Sequence, residues 1–87
     1  MGPRMGLLDG KVCLVSGAGQ GLGRAISREM AAEGAVVVLL ERNVETLQSV
    51  AREIADRGAA VHSYQLDVTD YDRYGRAVAD VVAKLGR

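Results

Sequence analysis

Val12-Cys13-Leu14-Val15-Ser16-Gly17-Ala18-Gly19-Gln20-Gly21-Leu22-Gly23 decides the fold. Its first four residues have the composition of a buried strand, and beyond the glycines Leu22, Ile26 and Met30 recur at helical spacing. The glycines therefore sit where a strand turns directly into a helix. The first turn of a helix presents backbone N–H groups without internal partners, and its dipole favours an anion there. Glycine permits the positive φ angles of a tight turn and keeps side chains out of the path of a pyrophosphate. The spacing excludes two common phosphate loops. A G-x-G-x-x-G pattern starting at Gly17 and Gly19 would need a third glycine at Leu22, and no Gly-Lys-Ser/Thr closes a P-loop. What fits is G-x-x-x-G-x-G at Gly17, Gly21 and Gly23.

Size and composition bound the rest. Eighty-seven residues make one domain at most, with a core that is marginal by itself. The formal net charge is zero and aromatic residues make up 3%, which argues against a nucleic-acid partner. The apolar stretch at 35–40 is too short to cross a membrane. The opening Met1-Gly2-Pro3-Arg4-Met5-Gly6 has no hydrophobic signal core, and Gly6 stands where myristoylation would want Ser or Thr. Cytoplasm is the expected compartment. Cys13, the one cysteine, is expected to be a small core hydrophobe in a reducing environment.

Taken in order, residues 1–10 read as a leader and 11–87 as a nucleotide-binding half-domain. A strand over 11–16 is followed by a helix over 21–33, closed by Gly34. The next strand, 35–40, is apolar without alternation, as a parallel strand covered on both faces reads. Asn43 is expected to cap a second helix with the stripe Leu47, Val50, Ala51 and Ile54, stopped by Gly58. A more polar strand over 60–66 suits a sheet edge. Thr69 is expected to cap a third helix with the stripe Tyr74, Ala77, Val78, Val81, Val82 and Leu85, and with Asp72–Arg76 and Asp80–Lys84 pairs on its wet side. The β-α-β-α-β-α pattern predicts an α/β fold. Its architecture is the first half of a Rossmann-like doubly wound parallel sheet, with strand order 3-2-1 and right-handed crossovers.

Glu41 lies 18 positions after Gly23, at the carboxyl end of the second strand. An acid there can accept hydrogen bonds from both ribose hydroxyls of an adenosine and would repel a 2′-phosphate, favouring NAD over NADP. With Ser16 and the glycine spacing, and with Leu66-Asp67-Val68-Thr69-Asp70 after the third strand, the chain resembles the short-chain dehydrogenase/reductase family over residues 8–87. The resemblance implies that Asp67 accepts from the adenine amino group while the Val68 amide meets the ring. It places Gln20 where NADP-preferring members often carry a basic residue, and Arg42 where some relatives contact a 2′-phosphate. The implied cofactor-binding set is Gly17, Gln20, Gly21, Leu22, Gly23, Glu41, Arg42, Asp67 and Val68, with NAD as the cofactor and NADP second.

No catalytic or metal-ligating set is present. Tyr64, Tyr71 and Tyr74 are followed four residues on by Val68, Gly75 and Val78, so none begins the family's Tyr-x-x-x-Lys, and the only lysines are Lys11 and Lys84. His62 stands alone. The resemblance covers about the first third of a typical member, lacking the fourth strand and the catalytic serine, tyrosine and lysine. Two readings follow. The first is the NAD-binding amino-terminal part of an alcohol/carbonyl oxidoreductase, inactive by itself. The second is a self-standing nucleotide-binding or assembly module. The expected partners are the dinucleotide and, through the first strand, the rest of the same enzyme or a second copy, with a homo-oligomer as the assembled form.

Overall fold

The computed structural model describes residues 8–18, 21–67 and 69–86. Its elements are β1 (Val12–Ser16), α1 (Gly21–Ala32), β2 (Val36–Glu41), α2 (Val44–Asp56), β3 (Val61–Gln65) and α3 (Tyr71–Leu85). The strands form one parallel sheet in the order β1-β2-β3, with Cys13 opposite Val37 and Glu41 opposite Gln65. Read from the other edge this is the expected 3-2-1.

The apolar run of β2 is explained by its central position. Successive side chains of a strand point to opposite faces, and Val37, Val38, Leu39 and Leu40 are all 0% exposed. Val37 and Leu39 join Val15, Leu47, Val50 and Ile54, with Ile26 and Met30 packed against them, under α1 and α2. Val38 and Leu40 face the other way and join Leu66, Ala77 and Val81 under α3. Helices thus cover both faces. Cys13 packs, half-buried, against the first of these clusters. Among the described residues no helix is long and apolar enough to cross a membrane.

Local differences from the sequence expectations have local causes. Helix α3 is capped by Asp70, not Thr69. Asp70 Oδ1 accepts from the Arg73 N–H at 3.2 Å, whereas the Thr69 amide and hydroxyl both donate to Asp67 Oδ1, at 2.9 and 2.7 Å. Thr69 is committed backwards, so the next residue caps. Asn43 does cap α2, accepting from the Glu45 and Thr46 amides at 3.0 and 3.2 Å. Of the two expected pairs on α3, Asp80–Lys84 forms at 3.1 Å, and no ion pair joins Asp72 to Arg76 among the described residues. Val82, in the expected apolar stripe of α3, is 52% exposed. Leu22, in line with Ile26 and Met30, is 77% exposed and takes no part in the core.

Two contacts tie α1 down. At Gly23 a Cβ would lie 2.2 Å from the Gly17 carbonyl oxygen, so the helix can start against the strand end only because position 23 has no side chain. Ser27, fully buried, donates its hydroxyl to the Gly23 carbonyl at 2.8 Å. Along the flank, Glu53 of α2 receives Arg24 at 2.6 Å and Arg28 through its other oxygen. The hydrogen bonds from Arg28 and then Arg24 pull the Glu53 carboxyl down to about 2.

Two predictions concern stability. Gly23→Ala should lose about 1–3 kcal/mol through overpacking. Gly75→Ala, on α3 where an added Cβ meets nothing within 4 Å, should gain about 0.5–1 kcal/mol. Urea midpoints of the two variants moving in the same direction would contradict the assignment. The second concerns pH. A carboxyl whose folded pKa is depressed stabilises fully above its unfolded value and loses that contribution as pH falls through the folded one. Glu53 should therefore make the urea midpoint fall between the ordinary value of 4.5 and about 2, and Glu53→Gln should flatten the profile in that window.

Candidate functional site

Parallel strands present their carboxyl ends on one side of the sheet, and connecting loops there form the crevice where open α/β sheets bind ligands. Gly17 follows β1, Glu41 ends β2 and Asp67 lies two residues beyond β3. Together with Leu40, Arg42 and Leu66 they line one cleft of about 200 Å³. A larger hollow of about 330 Å³ lies at the opposite, amino ends of β2 and β3. Its walls are mainly small apolar residues between the ends of α1 and α2, with Arg28 and Arg57 as its charged members. The polar groups of the glycine turn and the carboxyl ends of the strands line the smaller cleft instead, which makes it the candidate site.

The three motif glycines have separate tasks. Gly17 and Gly21 adopt φ of +63° and +53°, a region that side-chain-bearing residues rarely enter, and a Cβ built on either meets nothing within 4 Å. Among the described residues that side is open for a ligand to approach the backbone. Gly23 has no such space and serves the packing of α1 onto the turn. The Ala18 amide donates to the Leu40 carbonyl at 3.4 Å, joining the turn to the end of β2. The first turn of α1 opens directly from this turn with Leu22 exposed upon it, a geometry that suits a pyrophosphate. Gln20 and Val68 lie outside the described residues.

The acidic groups are held in place by their own loops. Glu41 is half-buried, and its Oε2 accepts from the Asn43 amide at 2.9 Å. Its backbone carbonyl accepts from the Leu66 amide at 3.1 Å, which extends the β2–β3 ladder to the cleft. Arg42 Nη1 stands 3.6 Å from Asp67 Oδ2, and the Gln65 side-chain amide donates to the Arg42 carbonyl at 3.4 Å. The backbone and hydroxyl hydrogen bonds of Thr69, with a smaller contribution from the Arg42 charge, hold the Asp67 carboxyl below the usual range. Asp67 therefore shapes its loop through Oδ1 while Oδ2 faces the Arg42 side.

Other titratable groups lie apart from this cleft. Tyr64 donates to Asp80 Oδ2 at 2.6 Å, and that bond pushes the phenol up to about 12. Such a phenol is a weak proton donor and fastens α3 to the sheet. His62 lies on the same strand, near the Asp80 charge. Among the described residues no group of three or more His, Cys, Asp and Glu side chains is placed to hold a metal. Sequence reasoning missed Ser27 and the Arg24–Arg28–Glu53 cluster, and gave Thr69 to the helix cap where it instead donates to Asp67. Position 27, four residues after Gly23, was a signal for a backbone-directed hydroxyl. The cluster joins residues 25 or more apart and had none.

Comparison with known proteins agrees with this geometry. The sequence profile of the short chain dehydrogenase family matches residues 11–87. The chain is similar to the 3-oxoacyl-[acyl-carrier-protein] reductase of Thermotoga maritima, 41% identical over 80 residues, covering 92% of this chain and 32% of that protein. It also superposes on a metagenomic short-chain oxidoreductase in complex with NADP, with TM-score 0.86, 40% identity and coverage of 92% of this chain and 36% of the other. For an NAD⁺-bound xylitol dehydrogenase the TM-score is 0.88 and the identity 36%, over 93% of this chain and 31% of the other. The chain spans about a third of the length of the curated relatives it matches. A glycine turn built on Gly17, Gly21 and Gly23, an acid ending β2, an aspartate after β3 and a profile match over the whole described sheet make this chain a member of the short-chain dehydrogenase/reductase family.

Proposed function

We propose that the cleft binds the adenosine and pyrophosphate of NAD, and that the chain is the amino-terminal cofactor-binding part of an oxidoreductase moving hydride between NAD(H) and an alcohol or carbonyl compound. One observation carries this reading: Gly17, Glu41 and Asp67 come from the ends of three adjacent parallel strands and line a single cleft. Gly17 and Gly21 leave backbone open to a pyrophosphate at the start of α1. Glu41 supplies a carboxylate for the ribose diol, and the Asp67 carboxylate suits the adenine amino group. NAD is favoured over NADP because a half-buried Glu41 would stand against a 2′-phosphate. Solved relatives include both an NADP complex and an NAD⁺ complex, so the preference rests on Glu41 itself.

The nicotinamide supplies the hydride chemistry when bound. Proton transfer to or from the substrate oxygen has no candidate group among these 87 residues, in which no tyrosine is followed four positions on by lysine. The isolated chain is accordingly inactive under this reading, and substrate choice belongs to the rest of the protein, in the cytoplasm. An edge supports the association that this requires. Among the described residues β1 is paired on one side only. Leu14 and Val82, on the α3 side of the sheet, are 38% and 52% exposed. An apolar edge strand with free backbone groups templates pairing, with the remainder of the same protein or with a second copy in a homo-oligomer.

Two experiments test these statements. In the full-length protein, Glu41→Ser should raise the NAD KM and improve NADP use, the loss of a charged hydrogen bond being worth about 1.5–3 kcal/mol. An unchanged NAD/NADP ratio would remove Glu41 from the cofactor site. For the edge, the isolated 87-residue chain at micromolar concentration should sediment as a dimer or larger species. A sharp monomer with cooperative unfolding would favour a self-standing module.

A further inference from the structure

We propose that Asp67 tunes discrimination against a 2′-phosphate indirectly, by holding the Arg42 guanidinium away from the ribose end of the cleft. The proposal rests on the NAD-binding reading of that cleft. Of the six described residues lining it, Arg42 is the one cation, and it follows Glu41 directly. A guanidinium is the side chain best matched to a phosphate, presenting several donors in a planar fork. Left to itself on this rim, it would offset the repulsion that Glu41 exerts on a 2′-phosphate.

Arg42 is not left to itself. Its Nη1 lies 3.6 Å from Asp67 Oδ2, across the cleft between the loops that follow β2 and β3. Asp67 is in turn fixed, because Oδ1 is occupied by the amide and hydroxyl of Thr69. The Gln65 amide on the Arg42 carbonyl fastens the backbone at the same place. A chain of contacts, Thr69 to Asp67 to Arg42, thus biases the cation toward β3 and away from the residue before it.

The size of the effect follows from exposure. The Arg42 side chain is 80% exposed and the Asp67 side chain 41%, and exposed pairs at this separation are weak and screened by salt. The pair adjusts a preference that Glu41 sets; it does not reverse it. Releasing Arg42 should change the NADP-to-NAD affinity ratio by about three- to fivefold at low ionic strength.

The test is a double-substitution cycle in the full-length protein, with dissociation constants for NAD and NADP measured by calorimetry at low and high salt. Asp67→Asn keeps an oxygen for Thr69 and removes the charge. It should shift the ratio toward NADP by about three- to fivefold, and by less at high salt. Arg42→Ala should weaken NADP more than NAD, moving the ratio away from NADP. In the Arg42→Ala background, Asp67→Asn should no longer move the ratio. An equal shift in that background would show that the Asp67 charge acts on the phosphate directly, and would overturn the proposal. So would no shift from Asp67→Asn alone in a protein that binds NAD. Failure of the unsubstituted protein to bind either nucleotide would overturn the reading of the cleft, and this proposal with it.

Discussion

A helix can begin at the very end of a strand only if nothing stands between their backbones, and here the gap is set by Gly23 against the Gly17 carbonyl. An added Cβ would stop 2.2 Å from that oxygen. The contact decides where the first turn of α1 points, and with it where the unpartnered amides of that turn are offered. Ser27 reinforces the same spot from one turn further along, its hydroxyl on the Gly23 carbonyl. The separation of labour among the glycines follows. One is needed for packing, while Gly17 and Gly21 supply positive φ beside open space. Under the proposed reading, that open space is where phosphate meets backbone.

The sheet gives this turn its rigidity. Because β2 is paired on both sides and covered on both faces, its residues from Val37 to Leu40 have no exposed surface. Burying a side chain of that size contributes about 1.5–3 kcal/mol. The strand carrying Glu41 to the cleft is therefore the best anchored segment of the chain. The Arg24–Glu53–Arg28 cluster braces α1 against α2 on one face. Tyr64 and Asp80 fasten α3 to β3 on the other. Both braces lie away from the cleft, and neither uses a group that the proposed site needs.

Among the described residues the cleft carries three charges. Glu41 and Asp67 bring two carboxylates to adjacent strand ends, and Arg42 Nη1 stands 3.6 Å from Asp67 Oδ2. Thr69 is the determinant here. By engaging Asp67 Oδ1 it orients the carboxylate, lowers its pKa and forfeits the helix cap to Asp70. One side chain thus links the start of α3 to the charge arrangement at the mouth of the cleft.

Much was legible in the sequence because it depends on local pattern. The glycine spacing, the unbroken apolar run at the centre of β2 and the stripes of α2 and α3 each report a period or a turn that neighbouring residues impose on one another. The parallel order 3-2-1 follows from the handedness of short crossovers. The positions of Gly17, Glu41 and Asp67 at strand ends could be read in the same way, since a residue's place in an element is a local property. What only the tertiary structure decided concerns pairs distant along the chain. These are the meeting of Arg24 and Arg28 with Glu53, the bond from Tyr64 to Asp80, the exposure of Leu22 and Val82, and the turning of Arg42 toward Asp67. Each depends on the separation and rotation of elements packed against a shared sheet. Side-chain direction at that scale is set by which surfaces are already buried, and hydrophobic periodicity carries no record of it.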